Sequence, residues 1–561
     1  MVRKIAFGTM CAVVVAAGAM LASPKLATAC GGFFCQAVPI DQAGEQIIFR
    51  KDGDTVTAVI LIQYEGEAED FSWVVPVPGI PDLSVGSDLI FNPLELATRP
   101  QFTLITEGEA CPQPLPFPFT LGGLAPVADS AGGVAEDNDV VVLQREVVGP
   151  FDTVVVQSED PDALATWLAD NNYDLSDRGS ELIAPYVDQG MNFVALRLRQ
   201  DQGTGDLQPL IMRYQSEEAM IPIRLTAVAA MPNMGILVWL LGDARGVPTN
   251  FLHVTPNYTL VNWYSGTTAA YASYQGLITT AMDEAGGQGF ATDYAGRSID
   301  IVPSLPDPVQ FREELGRLNA IEDDARFIAE VVNGFVFPQE KVLEVLRREL
   351  PLDAGEDEFL YFSDGTLAVT FSPEQLAAAR TALATKLQDA VITPLEASVA
   401  VFDGNPYVTR MFTTLSPEEM TLDPTFSFNP DLPDQAIERQ ATMRLSCTGS
   451  ETSWTLTLGP GTDRDGELVI EGTGNPPVFF AGPPVIVQDS VFQTETLTTS
   501  GPPTNVQRKS FAVFQVSDDG SGAGGGSSGV NLCGALGLGC GSGVTMLLVT
   551  LLGLQLMRRR H

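Results

Sequence analysis

Two apolar segments, one near each end of the 561-residue chain, set which part of it can build a globular fold. Arg3 and Lys4 precede an apolar stretch from Ile5 to Leu21, and Ala27-Thr28-Ala29 follows it. A short positive start, an apolar stretch too short for a comfortable membrane span and a small-residue site stand in the order of a secretion signal, cleaved after Ala29. The mature chain is then expected to begin at Cys30, with an uncleaved membrane anchor as the competing reading. Lipidation of Cys30 is a further alternative. It is disfavoured because a lipobox usually has Leu three places before the cysteine, where this chain has Ala27, with Leu26 one position too early.

At the other end, Ser517 to Gly529 is dominated by Gly, Ser and Asp, the composition of a flexible tether. Cys533 and Cys540 follow, then an apolar run from Val544 to Met557, then Arg558, Arg559 and Arg560 before His561. Basic residues after an apolar segment stay cytoplasmic, which orients the preceding part outward. The run falls short of the roughly 20 residues of a standard span, so it reads as a processing signal. Gly-rich linker, Gly539-Cys540, short apolar run and terminal Arg cluster together resemble the MYXO-CTERM sorting tail of myxobacterial surface proteins. That resemblance implies recognition by a sorting protease, processing at the cysteine and retention at the cell surface. Gly-Cys just before the run favours Cys540, with Cys533 as the alternative. The expected layout is a signal peptide over 1–29, a main α+β domain over 30–350, and a helix followed by a β-rich module over 351–516. A linker over 517–531 and a sorting tail over 532–561 complete it. The expected location is the cell surface or outer envelope of a Gram-negative bacterium, reached by the general secretory route, with membrane contact through the tail only.

A chain of this length can bury a sizeable core in two or three domains. Six of the 31 basic residues lie in the two terminal signals, which leaves 25 against 70 acidic residues and a net charge near −45 for the part between. Such a surface repels nucleic acid and anionic membranes, so nucleic-acid binding is set aside. Cys11 leaves with the signal, and Cys30, Cys35, Cys111 and Cys447 remain in the folding region. In an oxidising compartment four cysteines are expected to form two disulfides, with three pairings open. Cys30 with Cys35 is favoured, because Gly31 and Gly32 help close so small a loop, and Cys111 with Cys447 follows by elimination. Zinc at Cys30 and Cys35 competes poorly, since no CxxC spacing is present and histidine is scarce.

Along the chain the pattern predicts an α+β fold: an N-terminal antiparallel β and mixed α+β region, a helical segment, then the β-rich module. Gln46–Arg50, a hairpin turn at Asp52-Gly53 and Val56–Tyr64 alternate as strands, and Phe71–Val77 is a third. Cys111 to Asp139 reads as loop. Val140–Val147 and Phe151–Gln157 are strands, and Asp160-Pro161 starts a helix with Leu164, Trp167 and Leu168 on one face. A second helix is expected over Leu182–Gln189, then strands at Asn192–Arg199, Leu210–Tyr214, Ile221–Ala229 and Gly235–Leu241. Asp307 to Ile392 is helical. Asp307-Pro308 and Phe337-Pro338 are starts, and Ser372-Pro373-Glu374-Gln375 is a capping box before a buried stripe of Leu376, Ala379, Leu383 and Leu387. Strands follow at Met443–Leu445, Ser453–Leu458, Leu468–Glu471, Val485–Gln488 and Ala512–Val516.

Cys30-Gly31-Gly32-Phe33-Phe34-Cys35, Glu45-Gln46-Ile47-Ile48-Phe49 and Trp73-Val74-Val75-Pro76-Val77-Pro78 resemble the DUF2330 family of exported bacterial proteins. Val148-Gly149-Pro150-Phe151-Asp152, Trp167-Leu168 with Asn172-Tyr173, Phe193-Val194-Ala195 and Ile221-Pro222-Ile223-Arg224-Leu225 extend the resemblance over about Cys30 to Leu350. The family is a domain of unknown function, so the resemblance implies no catalytic residue.

His253 is the one histidine between the terminal signals, so a Ser-His-Asp or Cys-His catalyst must use it, and no Gly-x-Ser-x-Gly elbow accompanies it. It is expected to pack or hydrogen-bond at a strand edge. Glu313-Glu314, Asp323-Asp324 and Glu356-Asp357-Glu358 are the densest acidic clusters, expected as solvated faces. Asp463-Arg464-Asp465-Gly466-Glu467 imitates the start of a calcium loop but lacks the remaining ligands. No phosphate-cradling motif occurs. Trp73, Trp167, Trp239, Trp263 and Trp454 could stack on sugars, with core packing expected for at least the first three. No catalytic, cofactor or metal residues are assigned. The reading is a non-enzymatic binding or structural protein facing an envelope or extracellular component, with a carboxylate-dependent surface hydrolase as the alternative.

Overall fold

β1 (Asp41–Asp52) and β2 (Thr55–Glu65) form the hairpin expected from Asp52-Gly53. Asp52 pairs with Thr55 across a two-residue turn in which Gly53 takes φ 59°, a backbone conformation that glycine adopts without strain. The computed structural model describes residues 41–65, 72–109, 141–171, 173, 177–199, 207–258, 261–263, 266–353, 355–363, 366–449, 451–462, 469–473 and 490–511. The expected loop from Cys111 and the strands at Val485–Gln488 and Ala512–Val516 lie outside these residues.

β3 (Ser72–Val77), β4 (Asp82–Val85), a helix over Phe91–Thr98 and β5 (Gln101–Gly108) come next. β6 (Val141–Val148) and β7 (Phe151–Gln157) follow. The helix over Pro161–Asp170 starts as its sequence dictates. Asp160 accepts hydrogen bonds from the N–H groups of Asp162 and Ala163, Pro161 fills the first turn, and Leu164, Trp167 and Leu168 are buried. A helix over Asp177–Asp188, β8 (Asn192–Leu198), β9 (Leu210–Gln215) and β10 (Ala219–Met220) lead to Ile221–Ala229, which was expected as a strand. The structure makes a helical turn there instead, Ile223–Thr226. Pro222 brings no N–H to a ladder, and Asp423 Oδ1 accepts the N–H of Arg224 at 3.0 Å, while Ile223 and Leu225 are buried. β11 (Ala230–Gly242), β12 (Arg245–Pro248), β13 (Leu252–Thr255), a helix over Thr267–Glu284 and β14 (Gly289–Arg297) complete this half.

Helices fill most of Pro308 to Ala400, with their own core around Phe327, Leu346, Phe362 and Leu383. Ser372 and Gln375 form the expected capping box, and Leu376, Ala379, Leu383 and Leu387 are all buried. The helix then passes through a π-turn at Gln388–Ile392 into Thr393–Ala400. Pro394 has no N–H to offer the carbonyl four residues back, Ala390, and Gln208 Nε2 donates to that oxygen at 2.9 Å instead. This hydrogen bond ties the helical segment to the start of β9.

β15 (Tyr407–Leu415), β16 (Thr425–Asn429), β17 (Glu438–Thr448), β18 (Glu451–Leu458), β19 (Val469–Thr473), β20 (Ser490–Thr496) and β21 (Thr504–Phe511) end the described chain. These strands are interleaved with the earlier ones. The main sheet runs β21-β20-β13-β14-β15-β11-β1-β2-β9-β4, with β1 parallel to β11 and β13 parallel to β14 among otherwise antiparallel neighbours. β15 lies between β14 and β11, and β17 pairs with β5 in a second sheet, β19-β18-β17-β5. A third sheet runs β3-β8-β7-β6, and β10-β16-β12 forms a small fourth.

Both faces of the main sheet are covered, so the middle of β1, Ile47-Ile48-Phe49, is apolar on both sides. Ile48 joins the core shared with the Thr267–Glu284 helix and the β17 sheet, whereas Ile47 and Phe49 face the core shared with the β3-β8-β7-β6 sheet. The far face of that third sheet packs on the helices over Pro161–Asp170 and Asp177–Asp188. Helices and strands in layered mixed and antiparallel sheets make this an α+β fold.

One buried ionic network joins the halves. Thr292 pairs with Met411 and Tyr294 with Arg410, so Asp293 is the extra residue of a β-bulge. Its Oδ1 accepts the Tyr274 hydroxyl at 2.6 Å, and its Oδ2 lies 3.4 Å from Arg410 Nε. Arg410 also donates to the Tyr271 hydroxyl, and Arg439 donates to the Tyr258 hydroxyl and the Asp293 carbonyl oxygen. Both arginines and the aspartate are fully buried. Replacing Asp293 by Ala leaves the buried Arg410 without its carboxylate and should cost about 3–5 kcal/mol, read as a lower urea midpoint. A loss below about 1 kcal/mol would show that the network does not hold the halves together.

Candidate binding site

Glu45 shares the inward face of β1 with Ile47 and Phe49, because side chains two apart on a strand point the same way. A register shift between Gln42 and Gly44 immediately precedes it. Glu45 is 5 % exposed, and its Oε2 is buried with no hydrogen-bond partner. Desolvation raises its pKa from the ordinary 4.5 to about 7. The carboxyl closes a small cavity between the main and third sheets, about 20 Å³ measured for the centre of a water-sized sphere, room for roughly one water molecule. Apolar side chains such as Ile221 and Leu225 line it, with Trp73 and Thr226 at its wall.

A wider chamber of about 470 Å³ by the same measure adjoins it. Phe49, Ile60, Val75, Met220 and Pro222 line both spaces, so the two share a wall. The chamber continues past Met212 and Tyr214 to a mouth with Pro78, Glu217, Thr425 and Ser427. Lys51 pairs with Val56, and Val56 with Tyr214, so the lining from Glu45 to that row spans six residues of β1, roughly 20 Å at the strand rise. Burial also pushes up the pKa of the Tyr214 hydroxyl. A concave space with apolar walls at Phe49, Ile60 and Met212, polar groups at Ser216, Glu217 and Ser427, and two buried groups with displaced pKa values has the chemistry of a small-molecule site.

The acidic clusters singled out in the sequence do other things. Glu314 pairs with Arg317 at 2.7 Å, Asp324 with Arg380 at 3.0 Å and Glu358 with Arg347 at 2.8 Å. Asp323 caps the helix over Asp324–Gly334, and Asp357 accepts the N–H of Leu360. His253 is not at a strand edge, because β13 lies between β20 and β14. Its Nδ1 is 2.8 Å from Glu495 Oε1, its Nε2 is buried without a hydrogen bond, and burial lowers its pKa. Trp167, Trp239, Trp263 and Trp454 are buried and Trp73 is half-buried.

Cys447 sits at the exposed end of β17, where Leu445 pairs with Gly108 of β5. Ala29, Cys30, Cys35, Cys111, Cys540, Arg558, Arg559 and Arg560 lie outside the described residues, as does the acidic stretch Asp463–Glu467. Among the described residues no helix is long and apolar enough to cross a membrane. Sequence reasoning missed Glu45, although its alternation with Ile47 and Phe49 was visible. The signal was a lone carboxylate in phase with a buried strand face.

Residues 24–309, just over half of the chain, match the family described as an uncharacterised protein conserved in bacteria, DUF2330. The chain belongs to that family. No curated protein matches it, and no solved structure does. Every described residue lining the Glu45 cavity falls within the DUF2330 segment, while Thr425 and Ser427 at the chamber mouth come from beyond it.

Because Glu45 holds its proton more tightly when folded, its contribution to stability is present below the unfolded pKa and is lost as pH rises through about 7. A rise from 4.5 to about 7 corresponds to roughly 3 kcal/mol. Glu45→Gln should therefore flatten the pH dependence of the urea midpoint between about pH 4.5 and 7. An unchanged slope would show that Glu45 is ionised in the folded protein.

Proposed function

We propose that this protein is an exported binding protein of the bacterial envelope that holds an apolar small molecule between its sheets and performs no chemistry on it. The observation that carries this reading is a partly apolar chamber that shares a wall with the cavity of the buried acid Glu45. Export to the surface is supported by the signal-like start ending at Ala29 and by the tail with Cys540 and Arg558 to Arg560. A disulfide between Cys111 and Cys447 belongs to the same reading. The β5–β17 register supports it, since Gly108 stands beside Leu445 and both cysteines lie within three residues of that pair.

A carboxylate-dependent hydrolase of glycan or peptide draws support from Glu45, whose raised pKa suits a general acid. Paired-carboxylate hydrolysis needs its second carboxyl within roughly 5–9 Å, and no other carboxylate lines the Glu45 cavity among the described residues. Binding is therefore the better-supported function.

The neutral fluorophore N-phenyl-1-naphthylamine should brighten with the purified protein, and Ser427→Trp, which fills the chamber mouth, should abolish the gain. Equal brightening of the variant would remove the chamber from the reading, and turnover of a polysaccharide or peptide library would replace binding by catalysis. The address is checked by fractionating cells that carry Cys540→Ser, which should lose surface retention. Mass mapping of surface-released wild type without reduction should join Cys111 to Cys447 and keep Cys30 and Cys35 in one linked peptide. Full retention of the variant, or free thiols, would count against these assignments.

A further inference from the structure

We infer that the occupant of the cleft is a neutral, single-chain amphiphile, a fatty ester or ketone, whose carbonyl oxygen enters first and accepts a hydrogen bond from the Glu45 carboxyl. The inference rests on the cleft reading above and adds the chemistry of the ligand.

The shape of the space comes first. A wide chamber and a cavity of one-water size share the wall of Phe49, Ile60, Val75, Met220 and Pro222, and Glu45 lines the smaller space. That wall must part for a leading end to reach Glu45, and an unbranched chain lying along β1 asks for the smallest opening. Met220 belongs to the wall and is half-buried. An unbranched thioether side chain changes rotamer at little cost, so the wall can open as the leading end passes.

Polarity at the closed end selects the head. Glu45 has a buried oxygen without a partner, and among the described residues its cavity is lined by apolar side chains together with Trp73 and Thr226, with no cation. A carboxyl in such surroundings is mostly neutral at pH 6 and has an O–H to donate. A carbonyl oxygen satisfies that donor, and removing a buried polar group from isolation is worth more than a hydrogen bond made in water. A fatty acid anion would have to pass Glu217 and Glu218 at the chamber mouth and then lie against the Glu45 carboxyl. An alkylammonium would ionise Glu45 and create a buried ion pair whose remaining donors and acceptors find few partners, an arrangement that seldom repays its desolvation.

Competition for bound N-phenyl-1-naphthylamine at pH 6 tests this with four ten-carbon probes: methyl decanoate, n-decane, decanoate and decylamine. Methyl decanoate should bind roughly tenfold more tightly than n-decane. That ratio should persist in Glu45→Gln, which still donates from its amide, and fall to about one in Glu45→Ala. Raising the pH to 9 should weaken the ester in the wild type but not in Glu45→Gln. A preference for decanoate or decylamine, or an ester ratio that survives Glu45→Ala, would overturn the ligand class while leaving the cleft intact. Failure of all four probes and of the fluorophore would overturn the cleft reading itself.

Discussion

The placement of one late strand holds this molecule together. β15, beginning at Tyr407, inserts between β11 and β14, both of which precede it by more than a hundred residues. Without it the sheet would break between its β1 side and its β13–β14 side. The bulge at Asp293 aims a carboxylate at Arg410 of the inserted strand, and Arg439 of β17 closes on the same residue from the second sheet. A buried ion pair gives little net stability, but a half-made one is costly, so the pairing discriminates the correct register from its neighbours. The DUF2330 segment ends at residue 309, before β15, and therefore relies on the rest of the chain for the middle of its own sheet.

The same sheet carries the binding site on its other face. β1 is covered on both sides, and its backbone is fixed by β2 and β11. Such a rigid strand can hold Glu45 in an apolar cavity that a looser element would vacate or hydrate. Its burial disfavours ionisation and contributes nothing evident to packing. Local conflicts of this kind are found where function, rather than folding, has set the residue.

Acidity elsewhere has simpler origins. In the helical segment the carboxylates pair with arginines at exposed positions, where solvent screens them, or cap helix starts. A formal net charge of −39 thus describes a solvated surface rather than a set of sites. It does bear on the cleft, whose mouth carries two of those acids and so favours uncharged guests.

Local rules were sufficient for much of the fold. Asp160 with Pro161, Ser372 with Gln375, Gly53 in its turn and the stripe from Leu376 to Leu387 follow from contacts within a few residues, and these were legible in the chain alone. So was the α+β class, since helical and strand periodicities occur in separate blocks. The helical turn at Ile223 was not legible, because a remote carboxylate, Asp423, stabilises it. The pairing of β15, β16, β17 and β20 with earlier strands was hidden for the same reason: period-two patterning says that a strand has a buried face, never which strand it pairs with. Glu45 shows the limit most clearly. Its phase with Ile47 and Phe49 was written in the sequence, but only the approach of the third sheet turned that inward-facing acid into the end of a cavity.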